Sequence, residues 1–486
     1  MSYELTNASD LAAVKAALGI DQVTPYLGLV ATRCRVPIAY TTSFKEINAR
    51  TVHIARDAIT AIRLAFGSWY QVAGGTTEQG SSATSTLYAS VEYPIGSTPQ
   101  RIKWSDANSL SAADKTFTVS DELTLSTAIP RGAKFIVRQF LSNPNGIVFG
   151  SYMSASAGDG ATFYAGTGNT DQTLNASASL SSGGGNILFP LAILGVTSRR
   201  SVAYVGDSLF AGSAEPTGVS TVGFDVGVGE RLFAPEFAGV NIAQGGSVAS
   251  GFYGANAALR RNLLAYVTDV VANFGVNDLA GLTAAQLEAN LTTLSATVKA
   301  ASGPAKRYWH TTTTPVPSAT SDNWMTLSGQ TVDATANPRR IIFNSDLRNG
   351  CVPGVDGFIE VADGVEPYRD SGQYTVTGAR TVTDAGITSG AAVLSSASAS
   401  FTPDDVGTFV SVAGAGAAGA ALSSTIITYT SATSVTLANN ASTTVSGATA
   451  RVGVTTNDGV HGAPAVYSRV EKSYGARARA RLRGVV

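Results

Sequence analysis

Between residues 200 and 312 the chain alternates short apolar runs with a helix-patterned segment, and few folds accept that alternation. Ser201-Val202-Ala203-Tyr204-Val205, Val240-Asn241-Ile242-Ala243, Val267 to Phe274 and Arg307 to Thr312 read as strands buried on both faces. Thr283 to Ala301 reads as a helix: Thr283 and Gln286 form a capping box, and Leu287, Leu291, Leu294 and Val298 share one face. Gly303-Pro304 stops it. Strands that lack polar alternation, joined by crossover helices, predict a doubly wound α/β arrangement, a parallel sheet with helices on both faces.

That pattern occupies only part of the 486 residues, and a 44% apolar content suffices for more than one core. Residues 1–50 read as a leader or attachment segment, with a short helix over 10–19 capped by Asp10 and ended by Gly19. Residues 51–197 hold short strands punctuated by Gly, Ser, Thr and Pro, such as the alternating Ser85 to Tyr93, and predict an N-terminal, jelly-roll-like β-sandwich. Within it Trp69, Tyr70 and Trp104 are either core residues or sugar-stacking platforms. The α/β texture runs over 198–376, breaks, and returns over 455–486. The intervening 377–454 contains only Arg380, Asp384, Asp404, Asp405 and Arg451 as charged residues and reads as a small β-domain inserted in a loop. Its Gly414-Ala-Gly416-Ala-Ala-Gly419 has dinucleotide-fingerprint spacing, but neither a strand before it nor a helix after it.

A net charge of −1 and a 14% charged fraction argue against nucleic acid as a partner. The basic cluster Lys472, Arg477, Arg479, Arg481 and Arg483 reads as a solvated helix face. No run approaches the ~20 apolar residues of a membrane span, and Met1 to Asp10 lacks the basic and apolar regions of a secretory signal. Cys34 and Cys351 are expected as free thiols, and nothing has Cys/His metal-ligand spacing, so neither metal nor cofactor is implied.

The ends of the predicted strands carry the chemistry. Ser201 to Val205 breaks into Gly206-Asp207-Ser208-Leu209, a turn that presents a serine at the carboxyl end of a parallel strand, where α/β sheets bind ligands. Of the three histidines, His53 falls in the sandwich and His310 inside a core strand, so both read as structural. His461 lies in Asp458-Gly459-Val460-His461-Gly462, a loop before a helix that Pro464 would start. A carboxylate three residues before an imidazole can fold back onto Nδ1–H and leave Nε2 as a base. Glycines at 245 and 246, after one strand, and the Asn277 amide in Gly275-Val276-Asn277-Asp278, after another, can donate to a developing oxyanion.

Taken in order, these four segments resemble the blocks of the SGNH, or GDSL, hydrolases. The resemblance implies Ser208 as nucleophile, Asp458 and His461 completing a triad, and an oxyanion hole of Ser208, Gly246 and Asn277, with Gly245 a near alternative to Gly246. It covers about 200–376 and 455–486, and departs from the family pattern in the insert before the last block. The expected activity is hydrolysis of short acyl esters, acetyl foremost, on carbohydrate. A thioesterase or lysophospholipase would share the same triad. The flanking modules are similar in texture to bacteriophage tail and prophage proteins, for example at Phe401 to Gly407. That likeness implies a chain made in the cytoplasm, assembled as a homo-oligomer or virion part and acting after lysis. Its alternative function is a carbohydrate-binding tail component with vestigial esterase activity.

Overall fold

The computed structural model describes residues 22–75, 77–152, 154, 157–181, 185–213, 215 and 226–484. The helix expected over 10–19 lies outside them. A six-stranded parallel sheet carries the α/β part. Its strands are β1 (Cys34–Arg35), β2 (Ser201–Val205), β3 (Ala238–Asn241), β4 (Asp269–Ala272), β5 (Arg307–Thr311) and β6 (Gly357–Ile359), in the spatial order β1-β3-β2-β4-β5-β6. The order reverses at β2, so a crevice opens beyond its carboxyl end.

Side chains leave a strand alternately to either face, and the two faces of this sheet pack against different helices. Ala203, Val205, Val270, Ala272 and Tyr308 share a core with α3 (Ala284–Ala300) and α4 (Ala336–Arg348). Val202, Tyr204, Val271 and Trp309 pack instead with α2 (Gly227–Phe233), α5 (Pro464–Val470) and α6 (Ala476–Arg483). In α3 the capping box of Thr283 and Gln286 forms, and Leu287, Leu291, Leu294 and Val298 are buried. Each such leucine contributes about 1.5–3 kcal/mol of burial.

Antiparallel sheets precede this part. One runs through 22–29, 192–199, 59–67 and 123–129; another through 160–164, 46–54, 134–142, 85–92 and 100–101. Their inward residues, Ile62, Leu64, Leu87, Ala89, Phe135 and Val137 among them, join one core. Among the described residues strands begin at Gln22, whereas residues up to 50 are expected as leader. Pro25 hides the first from periodicity, and it falls in an irregularity of pairing between Gln22 and Tyr26, as an edge strand permits. Cys34–Arg35 is too short to signal itself, yet it pairs in parallel with β3 and stitches the front of the chain into the α/β sheet. Trp69 and Trp104 are buried, and Tyr70 stacks on Tyr40 at 5.1 Å, so all three serve packing.

The insert is a closed barrel of six strands between Arg380 and Val454. Its inner wall is Val382, Leu394, Val410, Ile426, Val435 and Val452, and Arg380 forks onto Asp405 at 2.8 Å on both branches. The Thr455 hydroxyl donates to the Thr375 carbonyl, so entry and exit of the insert lie side by side. Gly414 to Gly419 forms a turn between two barrel strands, followed by a strand rather than a helix. Of the C-terminal basic cluster, Lys472 and Arg477 are exposed, whereas the other three are structural ties. Arg479 donates to the Leu232 carbonyl, Arg483 pairs with Glu236 at 2.7 Å, and Arg481 lies over the Phe358 ring at 4.1 Å. Among the described residues, no helix is long and apolar enough to cross a membrane.

Candidate active site

Ser208 opens α1 (Ser208–Ala211), directly beyond the end of β2. The turn leading to it is locked by its own side chains. Gly206 has φ +153°, and a β-carbon there would lie 1.6 Å from Asn273 Oδ1, so only glycine fits. Asn273, at the end of β4, accepts from the Asp207 N–H at 3.1 Å and donates to Asp207 Oδ1 at 2.8 Å. That same oxygen accepts from the Leu209 N–H and caps the helix. The serine is thereby held at one depth beside the ends of β3 and β4.

Asp207 is fully buried. Burial, reinforced by the Asp278 carboxylate, pushes its carboxyl up to about 7, against the pull of the Leu209 N–H, Asn273 and His461. Between 3.8 and about 7 the folded chain therefore holds a proton that the unfolded chain has lost. This contribution to stability is full below pH 3.8 and is lost as pH rises through about 7. Asp207→Asn keeps an acceptor for Leu209 and Asn273 and removes the titration. Unfolding midpoints recorded from pH 4 to 8 should fall less steeply with pH in the variant than in the wild type. Parallel curves would contradict this assignment.

The loops after β3 and β4 meet beside this turn. The Gln244 N–H donates to the Gly206 carbonyl at 2.9 Å, and Asn277 donates through Nδ2 to the Ser247 carbonyl at 3.1 Å, leaving its second N–H. Asp278 ties the two loops together, accepting from the Ala249 and Gly275 N–H groups at 3.0 and 3.1 Å. Gly245 is buried, whereas Gly246 is exposed with φ +73°. Among the described residues nothing accepts from the Gly246 N–H. The roles of Asn273 and Asp278 went unread from sequence, since nothing in an Asn or Asp after a strand says which turn it will fasten.

His461 is built by its own loop. Asp458 Oδ1 accepts from the N–H groups of Val460 and His461 at 2.8 Å each, and Oδ2 lies 2.7 Å from His461 Nδ1. Burial alone would raise the Asp458 carboxyl, but these hydrogen bonds hold it below its ordinary value. Gly459 has φ +77°, and a β-carbon there would sit 2.5 Å from the Trp324 ring, so the tight turn needs glycine. The Tyr374 hydroxyl donates to the Val460 carbonyl and the Gly462 N–H to the Tyr467 hydroxyl, fixing the loop to α5. A proton on Nδ1 leaves the Nε2 lone pair available. Nε2 is buried and has no hydrogen-bond partner among the described residues, so no hydrogen bond joins it to Ser208. Val460, next to His461, nevertheless packs against the core that holds Leu209 and Phe210, the two residues after Ser208. The other two histidines are fully buried: His53 lies between Thr51 Oγ1 and the Thr32 carbonyl, His310 against the Thr311 carbonyl, and burial lowers both to about 4.

No protein-family model and no curated protein sequence matches the chain. Solved structures similar to it include an aryl esterase of M. smegmatis, 15% identical, over 36% of this chain and 92% of that one, at a TM-score of 0.24. They also include the psychrotrophic esterase EstA of Pseudoalteromonas sp., 17% identical, over 33% and 76%, at 0.23. A third, from Desulfitobacterium hafniense and assigned to the G-D-S-L lipolytic family, is 13% identical, over 36% and 85%, at 0.25.

Proposed function

We propose that the chain is a serine ester hydrolase working through a covalent acyl-enzyme. Ser208 is the nucleophile, His461 the general base and then general acid, and Asp458 the group that orients His461. The Ser208 and Gly246 backbone N–H groups and the Asn277 amide are the oxyanion donors. The observation that supports this reading most is the 2.7 Å contact of Asp458 with His461, whose opposite nitrogen is buried without a hydrogen-bond partner among the described residues. In the first step Ser208 Oγ bonds to the ester carbonyl carbon while its proton passes to His461 Nε2. The tetrahedral intermediate collapses as that proton goes to the departing alkoxide, which leaves as alcohol. Water then attacks the acyl-serine, its proton passing through the same nitrogen, and the free acid is released.

The substrate class is a short acyl ester, acetyl foremost, on a carbohydrate hydroxyl. The exposed Gly246 and the half-exposed Asp458 side chain give the site a solvent-facing rim, with Ser208 itself buried. Acetate release from a panel of O-acetylated polysaccharides, run beside p-nitrophenyl acetate, tests the reading; turnover of neither would overturn it. Asn277→Ala should lower kcat about 10²–10³-fold, or about 2.7–4 kcal/mol of barrier, with little change in KM. An unchanged kcat would remove Asn277 from the oxyanion site.

A further inference from the structure

The antiparallel front of the chain reaches the candidate oxyanion loop through an excursion, of which 71–75 and 77–78 are described, set off by an isolated bridge between Tyr70 and Gln79 outside the sheets. Its neck is closed by backbone hydrogen bonds in both directions between Tyr70 and Gln79, 2.9 and 2.8 Å, and by the Tyr70 hydroxyl on Gln79 Oε1. Its two flanks are clamped to the α/β part. On one side Gln244, whose N–H already holds the Gly206 carbonyl, donates through Nε2 to the Gln71 carbonyl at 2.6 Å. On the other the buried Glu78 carboxylate accepts from the Leu259 and Arg260 N–H groups at 2.8 and 2.7 Å. Arg260 in turn donates to the Ile242 carbonyl, on the segment leading to Gln244.

Between the clamps the excursion lies on the glycine pair. The Gly74 N–H donates to the Gly245 carbonyl at 2.8 Å. A β-carbon on Gly245 would be 3.1 Å from Ala73 Cβ, and one on Gly246 would be 3.1 Å from Gly74 Cα. Val72, Ala73 and Gly74 are nevertheless exposed, as Gly246 is. Small side chains thus face solvent beside the glycine pair, on a segment held at Gln71 and Glu78.

Resting on the esterase reading above, we infer that the Val72-Ala73-Gly74 tip is a wall of the substrate cleft, and that Ala73 is a specificity-determining residue that sets how bulky an ester can be. The front of the chain is then part of the active site, not a separate binding module. A rigid wall excludes bulk by clash, so it acts on large substrates and spares small ones.

The test compares kcat/KM for p-nitrophenyl esters of increasing acyl length, and for acetates of increasing alcohol size, in the wild type, Ala73→Trp, Ala73→Gly and Ile95→Trp. Ile95 is exposed in the turn between strands 85–92 and 100–101 and serves as a control. Ala73→Trp should cut kcat/KM for the bulkier members of one series roughly tenfold or more relative to acetate, with p-nitrophenyl acetate little changed. Ala73→Gly should shift the same series the other way, and Ile95→Trp should leave it alone. An unaltered size profile in both Ala73 variants, or a loss equal across all sizes, would overturn the proposal. A wild type inert on every ester would be a different result, the failure of the esterase reading itself.

Discussion

Ser208→Ala is expected to lower kcat for ester hydrolysis on the order of 10⁶-fold, the scale seen when the serine of a triad is removed. The reason is chemical. Without Oγ no acyl-enzyme forms, and only water held near the oxyanion donors remains, which typically leaves 10³–10⁴-fold over the uncatalysed rate. The fold should survive, with stability changed by about 1 kcal/mol or less. The contacts that shape the turn belong to Gly206, Asp207 and Asn273, none of which the substitution touches. Steady-state turnover of p-nitrophenyl acetate beside a thermal melt separates the two effects. Retained turnover with an unchanged melt would exclude Ser208 as nucleophile.

The second large effect belongs to Asp458→Asn, expected to lower kcat about 10⁴-fold. Asp458 Oδ2 accepts at His461 Nδ1, and an amide nitrogen in its place would present a donor to a donor. The imidazole would then favour the tautomer with its proton on Nε2, the nitrogen required as base. Oδ1 can still close the turn through the Val460 and His461 N–H groups, so the loop should keep its shape. Activity lost at constant secondary structure and melting temperature is the expected result, measured by kcat and circular dichroism together. Loss of the fold alongside activity would assign Asp458 a structural role instead.

The parallel sheet was legible because its strands are apolar on both faces and its longest helix is capped and striped, signals that survive without tertiary context. The insert was legible from its scarcity of charge, but its closure into a barrel was not, since pairing of 380–387 with 445–454 is a property of register over some sixty residues. The strands before residue 50 escaped notice for local reasons: Pro25 breaks one pattern, and Cys34–Arg35 is two residues long. At the candidate site, the residues proposed to do chemistry are of types that stand out in a sequence, whereas those that position them are not. Asn273 and Asp278 became meaningful only once β4 was laid beside β2. The approach of Ala73 and Gly74 to Gly245 and Gly246, across some 170 positions, follows from the docking of whole sheets on each other.

The central claim, that Ser208 is activated by His461, is tested most directly by covalent trapping. Diethyl p-nitrophenyl phosphate reacts with an activated serine, expels p-nitrophenol and leaves a diethylphosphoryl adduct that mass spectrometry of a digest can locate. One adduct per chain on the peptide containing Ser208, formed in step with loss of activity and absent from His461→Ala, is the expected result. An adduct on another residue, or labelling of Ser208 equally fast without His461, would contradict it.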